Sequence, residues 1–353
     1  MNAKLLALPL VLLTYGALAQ GFAGLGTDAE GFSVPEAGRE LSFPRDHGPH
    51  PDFRIEWWYL TANLKGENGA DYGLQWTLFR SALRPEAGEG WSASQTWMAH
   101  AAVTTDNSHF STERFARGGI GQAGVRAEPF SAWIDDWRMT SRAAPGEDPL
   151  AALEVFARGP DFTYDIALTA SGPLVLHGEN GFSVKSASGQ ASHYYSQPFY
   201  SVRGTIDLPT GRLQVSGQAW LDREWSSQPL DPDQTGWDWL SLHFDDGAKL
   251  MGFRLRSRSA EAFTSATWIG PNGKTTSYGD GALKMTPGRL QKVAGREVPV
   301  EWRLQLAEHD LDITVEAINP NSWMHTLVPY WEGPVTAQGS RNGRGYLEMT
   351  GYE

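Results

Sequence analysis

The chain has 353 residues, with 29 Lys+Arg against 41 Asp+Glu for a formal charge of −12, and 41% hydrophobic and 20% charged residues, the composition of a folded protein. The acidic balance speaks against binding a phosphate backbone, which takes a face of surplus Lys and Arg, so nucleic acid is not an expected partner. The absence of cysteine excludes disulfides, thiolate nucleophiles, Cys-ligated zinc and iron–sulfur clusters.

Residues 1–19 read as a signal peptide: Lys4 in a short n-region, the apolar run Leu5–Leu13, and Ala17-Leu18-Ala19 with small residues where a signal peptidase inspects the chain. Nine apolar residues are too few for a membrane-spanning helix, which takes about 20. Cleavage before Gln20 would leave 28 basic and 41 acidic residues, net −13, and no cysteine for a lipid anchor. No later run is long and apolar enough for a transmembrane segment. The expectation is an exported protein, periplasmic or secreted, with residues 20–41 as an N-terminal linker.

From there the chain reads as β-structure. Phe53–Leu64 and Tyr72–Ser81 are aromatic, β-branched runs around Gly66-Glu67-Asn68-Gly69, a hairpin signal. Further strand-like runs are Trp97–Thr105, Pro129–Thr140, Phe162–Ala170, His193–Asp207, Arg212–Asp222, Trp237–Phe244, Lys249–Ser257, Ala262–Gly270, Val298–Ala307, Leu311–Ile318 and Tyr346–Tyr352. Asp148-Pro149 has the form of a helix start, but the alternating run behind Gly159-Pro160-Asp161 favours a strand over Leu150–Arg158. Many short strands with turn chemistry between them predict an all-β sandwich or barrel. Trp57-Trp58-Tyr59-Leu60-Thr61 and the hairpin behind it are echoed by Trp237-Asp238-Trp239-Leu240-Ser241, 180 residues on, which predicts two barrel-like halves joined near residues 205–225.

Gly119-Ile120-Gly121-Gln122-Ala123-Gly124 matches a dinucleotide fingerprint by letter only. Ser111–Arg117 before it is polar and no helical pattern follows, so a glycine-rich loop is expected and no cofactor. Asp46-His47-Gly48-Pro49-His50-Pro51-Asp52 holds enough donors for a metal, but its Gly and Pro predict a surface turn and no metal. No serine elbow, zinc-binding His-Glu-x-x-His or phosphate loop is present.

Trp220-Leu221-Asp222-Arg223-Glu224-Trp225 is more suggestive. On a strand, Trp220, Asp222 and Glu224 share one face, and two carboxylates beside an indole can have their pKa values pushed apart, leaving one as a general acid; an Asp–Arg–Glu ion-pair network is the plainer alternative. Trp239 and His243 share a face that suits an apolar pocket with one proton-transfer group. Glu56 and Trp58 share another, Glu56 being either a buried acid or a partner of Arg54 or Arg80. His100 and Tyr195 complete the candidates.

These residues resemble the carotenoid 1,2-hydratase (hydroxyneurosporene synthase) and AttH-like family, through Asp46-His47-Gly48, Glu56-Trp57-Trp58-Tyr59, the Trp220–Trp225 segment, Trp237–Leu240 and the closing Gly345–Tyr352. The resemblance implies two tandem lipocalin-like antiparallel β-barrels, placed here at 42–219 and 220–353, and is nearest to an exported bacterial branch labelled "predicted secreted hydrolase". It further implies a cofactor-free reaction on an apolar isoprenoid or polyene. Hydrating an alkene needs an acid to protonate carbon, aromatic faces to stabilise the cation and a held water to capture it. Arg223 and Glu224 stand where the hydratases carry His and Asn, a departure that bears on the carotenoid reaction itself. The expectation is an exported hydratase- or lyase-like enzyme with Asp222, Glu224 and His243 as catalytic groups and Glu56, Trp58, His100, Tyr195, Trp220, Trp225 and Trp239 about a hydrophobic small molecule. The rivals are a non-catalytic carrier of a hydrophobic ligand and a secreted ester hydrolase.

Overall fold

The computed structural model describes residue 25, residues 29–86 and residues 88–352. The signal peptide read at 1–19, with most of 20–28, lies outside the described residues. Apart from one-turn 3-10 segments at Arg45–His47, Gly90–Ser92 and Ala307–His309, the regular structure described is β-strand.

Two large antiparallel sheets follow one plan. In the first, the order across the sheet is His109–Arg117, Gln95–Thr104, Asp71–Ala82, Ile55–Gly66, Gly211–Ser226, Ala191–Leu208, Thr163–Ala170, Ala152–Arg158, Trp137–Ser141, Phe130–Ile134 and Ala123–Ala127. In the second it is Thr275–Tyr278, Phe263–Ile269, Lys249–Ser257, Gln234–Phe244, Gly343–Met349, Tyr330–Gly339, Leu311–Ala317, Glu301–Leu306 and Leu283–Pro287. In each, the first strand lies between the second and the last, so the sheet curls into a nearly closed barrel around its own core.

Period-two patterning sets which side chains go inward. Leu311, Ile313, Val315 and Ala317 are buried while Asp312, Thr314 and Glu316 are exposed. Along Ile55–Gly66, Trp58, Leu60, Ala62 and Leu64 fill the first barrel, whereas Tyr59 belongs to a third apolar cluster with Trp220, Trp239, Phe253 and Tyr346. That cluster draws on both sheets and forms the seam between barrels. Gly73 lies on it: a Cβ there would come within 2.6 Å of Pro334 Cδ, so glycine is what allows the close approach.

Four expectations are corrected. The division between 219 and 220 falls inside Gly211–Ser226, whose pairing with the first sheet runs through Ser226, so the first barrel ends there and the second begins at Gln234. Pro129–Thr140 is a hairpin, broken where Asp135 adopts a positive φ of 51°. Val298–Ala307 is likewise two strands, Arg296–Pro299 and Glu301–Leu306. The Asp46–Asp52 stretch is not a surface turn along its length, because Asp46 and His47 are fully buried and only its far end is exposed. The glycine-rich stretch expected as a loop at 119–124 lies between strands His109–Arg117 and Ala123–Ala127, with Ala123 and Gly124 already in the second of them.

Candidate functional site in the cleft between the barrels

The outward faces of the first two strands of each barrel meet across a cleft of about 750 Å³, its open mouth included. Ile55, Trp57, Tyr59 and Phe79 wall it from the first barrel, and Trp237, Trp239, Phe253 and Leu255 from the second. Asp222 and Glu224 enter from the last strand of the first barrel and Glu348 from the last strand of the second. The halves match in register: Trp57 lies between Phe79 and Glu224, and Trp239 between Phe253 and Glu348. An inward ion pair matches too, Glu56 lying opposite Arg80 and Asp238 opposite Arg254. These pairs place Glu56-Trp57 against Asp238-Trp239, two residues away from the echo read in sequence.

Asp222 is 2% exposed and has three donors: Tyr194 Oη at 2.8 Å, Trp220 Nε1 at 2.6 Å and the Ser196 hydroxyl. Burial pushes its carboxyl up to about 7; those hydrogen bonds oppose the shift and the Glu224 charge adds to it. Tyr194 Oη in turn accepts from Trp239 Nε1 at 3.0 Å, which ties the acid to the opposite barrel.

Behind Asp222, Ser196 Oγ is 2.6 Å from His177 Nε2, and His177 Nδ1 is 2.9 Å from Thr267 Oγ1. Burial holds His177 well below the ordinary imidazole value, so it is neutral. Two proton arrangements satisfy this chain. With Asp222 ionised, Ser196 donates to it and His177 donates to Ser196; with Asp222 protonated, Asp222 donates to Ser196 and Ser196 to His177. The chain can therefore accommodate either charge state of the acid by moving protons alone. The order also differs from a serine-hydrolase triad, in which histidine stands between serine and acid, and Ser196 is buried away from the cleft.

Glu224 accepts from Lys185 Nζ at 2.8 Å and from the Ser192 hydroxyl. Lys185 Nζ also sits 4.2 Å from the centre of the Phe253 ring, so its charge is held against the cleft wall. Glu348 accepts from Trp237 Nε1 at 2.6 Å. Its pKa is raised by burial, against the hydrogen bonds from Trp237 and Tyr59 and with help from the Asp222 and Glu224 charges. Tyr59 Oη donates to Glu332 Oε1 at 2.5 Å, and Glu332, paired in register with Glu348, is raised well above the usual carboxylate range by burial and by Glu348.

Of the residues singled out in the sequence, the structure brings Asp222, Glu224 and Trp239 together in the cleft, with Trp220 behind Asp222. The shared face of Trp220, Asp222 and Glu224 is as the strand period requires. The others lie elsewhere. His243 is buried outside the cleft lining, with Nε2 3.0 Å from the Pro198 carbonyl, and burial and Lys249 lower its pKa to about 4. Trp58 fills the first core, with the Arg223 guanidinium 3.8 Å from its ring centre. Glu56 also points into that barrel; burial would raise its pKa, but Arg80, His50 and Arg223 hold it well below the usual range. Trp225 is stacked on His50 at 3.9 Å, and Tyr195 Oη is 2.7 Å from His47 Nδ1, both within the first barrel. His100, pushed down to about 3 by burial, has Nδ1 2.8 Å from Tyr330 Oη, which also bears on Glu332.

Sequence reasoning missed Glu348, Glu332, Tyr194, His177 and Lys185 as site residues. The alternation of Tyr346-Leu347-Glu348-Met349 could have exposed Glu348, because Leu347 and Met349 fill the core and their neighbour must face the other way. Among the described residues no group of three or more His, Asp or Glu could hold a metal ion.

Comparison with known proteins adds to this geometry. Residues 34–352 match the AttH-like family. The crystal structure of an AttH protein from Nitrosomonas europaea is 33% identical, covers 91% of this chain and 100% of its own, and superposes with a TM-score of 0.80. Kievitone hydratase from Nectria haematococca shares the fold at 16% identity, over 90% of this chain and 95% of its own, with a TM-score of 0.66. CghA, solved with Sch210972, does so at 13% identity, over 92% and 97%, with a TM-score of 0.54. A search of curated proteins found no match. With two tandem lipocalin-like barrels and a family match running almost from end to end, this chain belongs to the AttH-like family.

Proposed function

We propose that the protein is a hydratase- or lyase-type enzyme that adds water to, or removes it from, a carbon–carbon double bond of an apolar isoprenoid-type molecule lying between the barrels. The observation that carries this reading is Asp222, a buried acid at the base of an aromatic-walled cleft, poised between its charge states near neutrality, with Glu348 entering from the opposite barrel. The kinship of fold with an enzyme named as a hydratase supports it.

In the hydration direction, protonated Asp222 gives its proton to one alkene carbon and the more substituted carbon becomes cationic. The π faces of Trp57, Trp239 and Phe253 stabilise that charge. Water then bonds to the cationic carbon as ionised Glu348 takes the proton it releases. The Ser196–His177 chain lets Asp222 change charge without breaking its hydrogen-bond set. Dehydration runs the same steps backwards.

The test is to incubate the mature protein with isoprenoid lipid extracts and follow species that gain or lose water by mass spectrometry, comparing wild type with Asp222→Asn. A water-dependent mass change that Asp222→Asn abolishes supports the enzyme. One observation favours a carrier instead: each cleft carboxylate already has donors from its own barrel, as expected of groups with a structural part only. If apolar ligands bind and are recovered unchanged with wild type and variant alike, the carrier reading stands. Export completes the proposal, and N-terminal sequencing of the mature chain, starting at Gln20, is its check.

A further inference from the structure

The matched ion pairs Glu56–Arg80 and Asp238–Arg254 lie inside their barrels, and the two barrels treat them differently. In the first, the stretch around residues 48–53 covers the pair. Arg80 Nη2 donates to the carbonyls of His50 and Phe53 at 2.8 and 2.7 Å, Nη1 to Gln95, and Arg223 Nη2 to the carbonyl of Gly48 at 2.7 Å. Both arginines are closed off from solvent, with side-chain exposures of 1% and 0%.

In the second barrel no segment among the described residues plays that part. Asp238 is shared by Arg254 and Arg256 and also accepts from Tyr352 Oη at 2.9 Å, while Arg256 Nη2 donates to the Thr350 carbonyl. Among the described residues Arg254 makes one hydrogen bond, through Nη1 to Asp238, with its guanidinium carbon 5.8 Å from the centre of the Trp302 ring, and its side chain is 24% exposed. It opens onto a cleft of about 1410 Å³, solvent-open space included, with Lys284 and Glu261 at its sides and Leu283 and Met285 beneath. The lining carries Arg254, Arg256 and Lys284 against Glu261, with Asp238 paired to both arginines and Asp233 and Asp280 accepting from the lining residues Ser257 and Thr264.

We propose that this opening of the second barrel is a binding site for a monoanionic amphiphile, whose acidic oxygens occupy the free edge of the Arg254 guanidinium and whose apolar body lies along Leu283 and Met285. The ligand oxygens would supply what the His50 and Phe53 carbonyls supply to Arg80. The fork of N–H donors selects a carboxylate, and the apolar floor selects a chain over a free ion. The site is separate from the inter-barrel cleft and does not depend on the activity proposed for it.

The experiment is calorimetric titration of the full mature protein with decanoate, decanol and inorganic phosphate at low salt. Decanoate is expected to bind, decanol and phosphate at least tenfold more weakly. Arg254→Gln should lower decanoate affinity tenfold or more and Lys284→Glu, at the exposed rim, several-fold, while Trp57→Ala leaves it unchanged. Equal binding of decanol, equal binding of phosphate, no decanoate binding, or a loss with Trp57→Ala but not with Lys284→Glu would each overturn the assignment. Lys284→Glu alters a solvent-facing side chain, so it reads the site even if Arg254→Gln fails to fold.

Discussion

Glu224 and Glu348 hold matching positions in the two barrels: each lies directly across the sheet from a tryptophan, Trp57 or Trp239, that has a phenylalanine on its other side. The cleft is thus walled by two copies of one strand pattern turned towards each other. The copies differ in what surrounds the carboxylate. Glu224 is neutralised by Lys185, whereas Glu348 meets an indole N–H and has the raised acid Glu332 beside it. The first barrel adds Asp222 at the position where the second has Tyr346, and in the proposed mechanism that asymmetry separates an acid role from a base role.

Asp222→Asn and Glu348→Gln are each expected to lower turnover at least 100-fold, in the range for loss of a proton-transfer group. Both amides fill the space of the acids, so ligand affinity should stay within about threefold. Turnover left intact in either variant, measured on whichever substrate the mass-spectrometric screen gives, would remove that residue from the mechanism.

Stability should carry the signature of Asp222 in its pH dependence. Its carboxyl titrates near 3.8 when unfolded and about 7 when folded. Between those values the folded chain holds more protons, so this contribution is fully present below the unfolded pKa and is lost as pH rises towards 7, at about 1.4 kcal/mol for each tenfold change in proton affinity. Melting midpoints of Asp222→Asn from pH 4.5 to 7.5 should rise relative to wild type as pH increases. Ser196→Ala removes a donor to the carboxylate and should extend the wild-type slope to higher pH. Parallel curves for wild type and Asp222→Asn would contradict the shift.

Glu56 serves the fold. With Arg80 and Arg223 bound to it and no exposure of its own, Glu56→Gln leaves two buried guanidinium groups short of a counter-charge and should cost about 3–5 kcal/mol in denaturant unfolding. Arg303→Ala, which breaks a surface pair with Asp312, should leave the midpoint within error. If Glu56→Gln is equally silent, the buried network does not stabilise the barrel.

Gly73→Val tests the seam. The added side chain meets Pro334 from the other barrel, an overpacking that costs about 1–3 kcal/mol and pushes the barrels apart. Ligand affinity in the cleft should fall with stability, whereas Ala70→Val, on the exposed turn nearby, should change neither. Full affinity in Gly73→Val would show that the cleft does not depend on the seam.

Most of the strands were legible because their side chains alternate. Lys249–Ser257 agrees to the residue, and Trp220, Asp222 and Glu224 fall on one face as period two demands. The breaks came where local chemistry overrides the period, as at Asp135. Tyr330–Gly339 was hidden by Gly333-Pro334, which reads as a turn yet sits mid-sheet, and Glu332 was hidden with it. Tyr195 and Trp225 are chemically apt residues that point into the first barrel, while His100 points out of it against Tyr330 of the second, and a single strand cannot say which face meets the other domain. Lys185 and His177 lie outside the strands and carry no periodic signal.

Because each barrel is closed by its final strand against its first, the acids arrive last. Asp222 and Glu224 emerge from the ribosome only with the strand that completes the first barrel, and Glu348 only with the strand that completes the second. Each pairing joins strands about a hundred residues apart or more, the slow kind of contact to form. A nascent or truncated chain can therefore own a finished first barrel and half a cleft, but the facing pair of carboxylates exists only once the closing strand of the second barrel has been made.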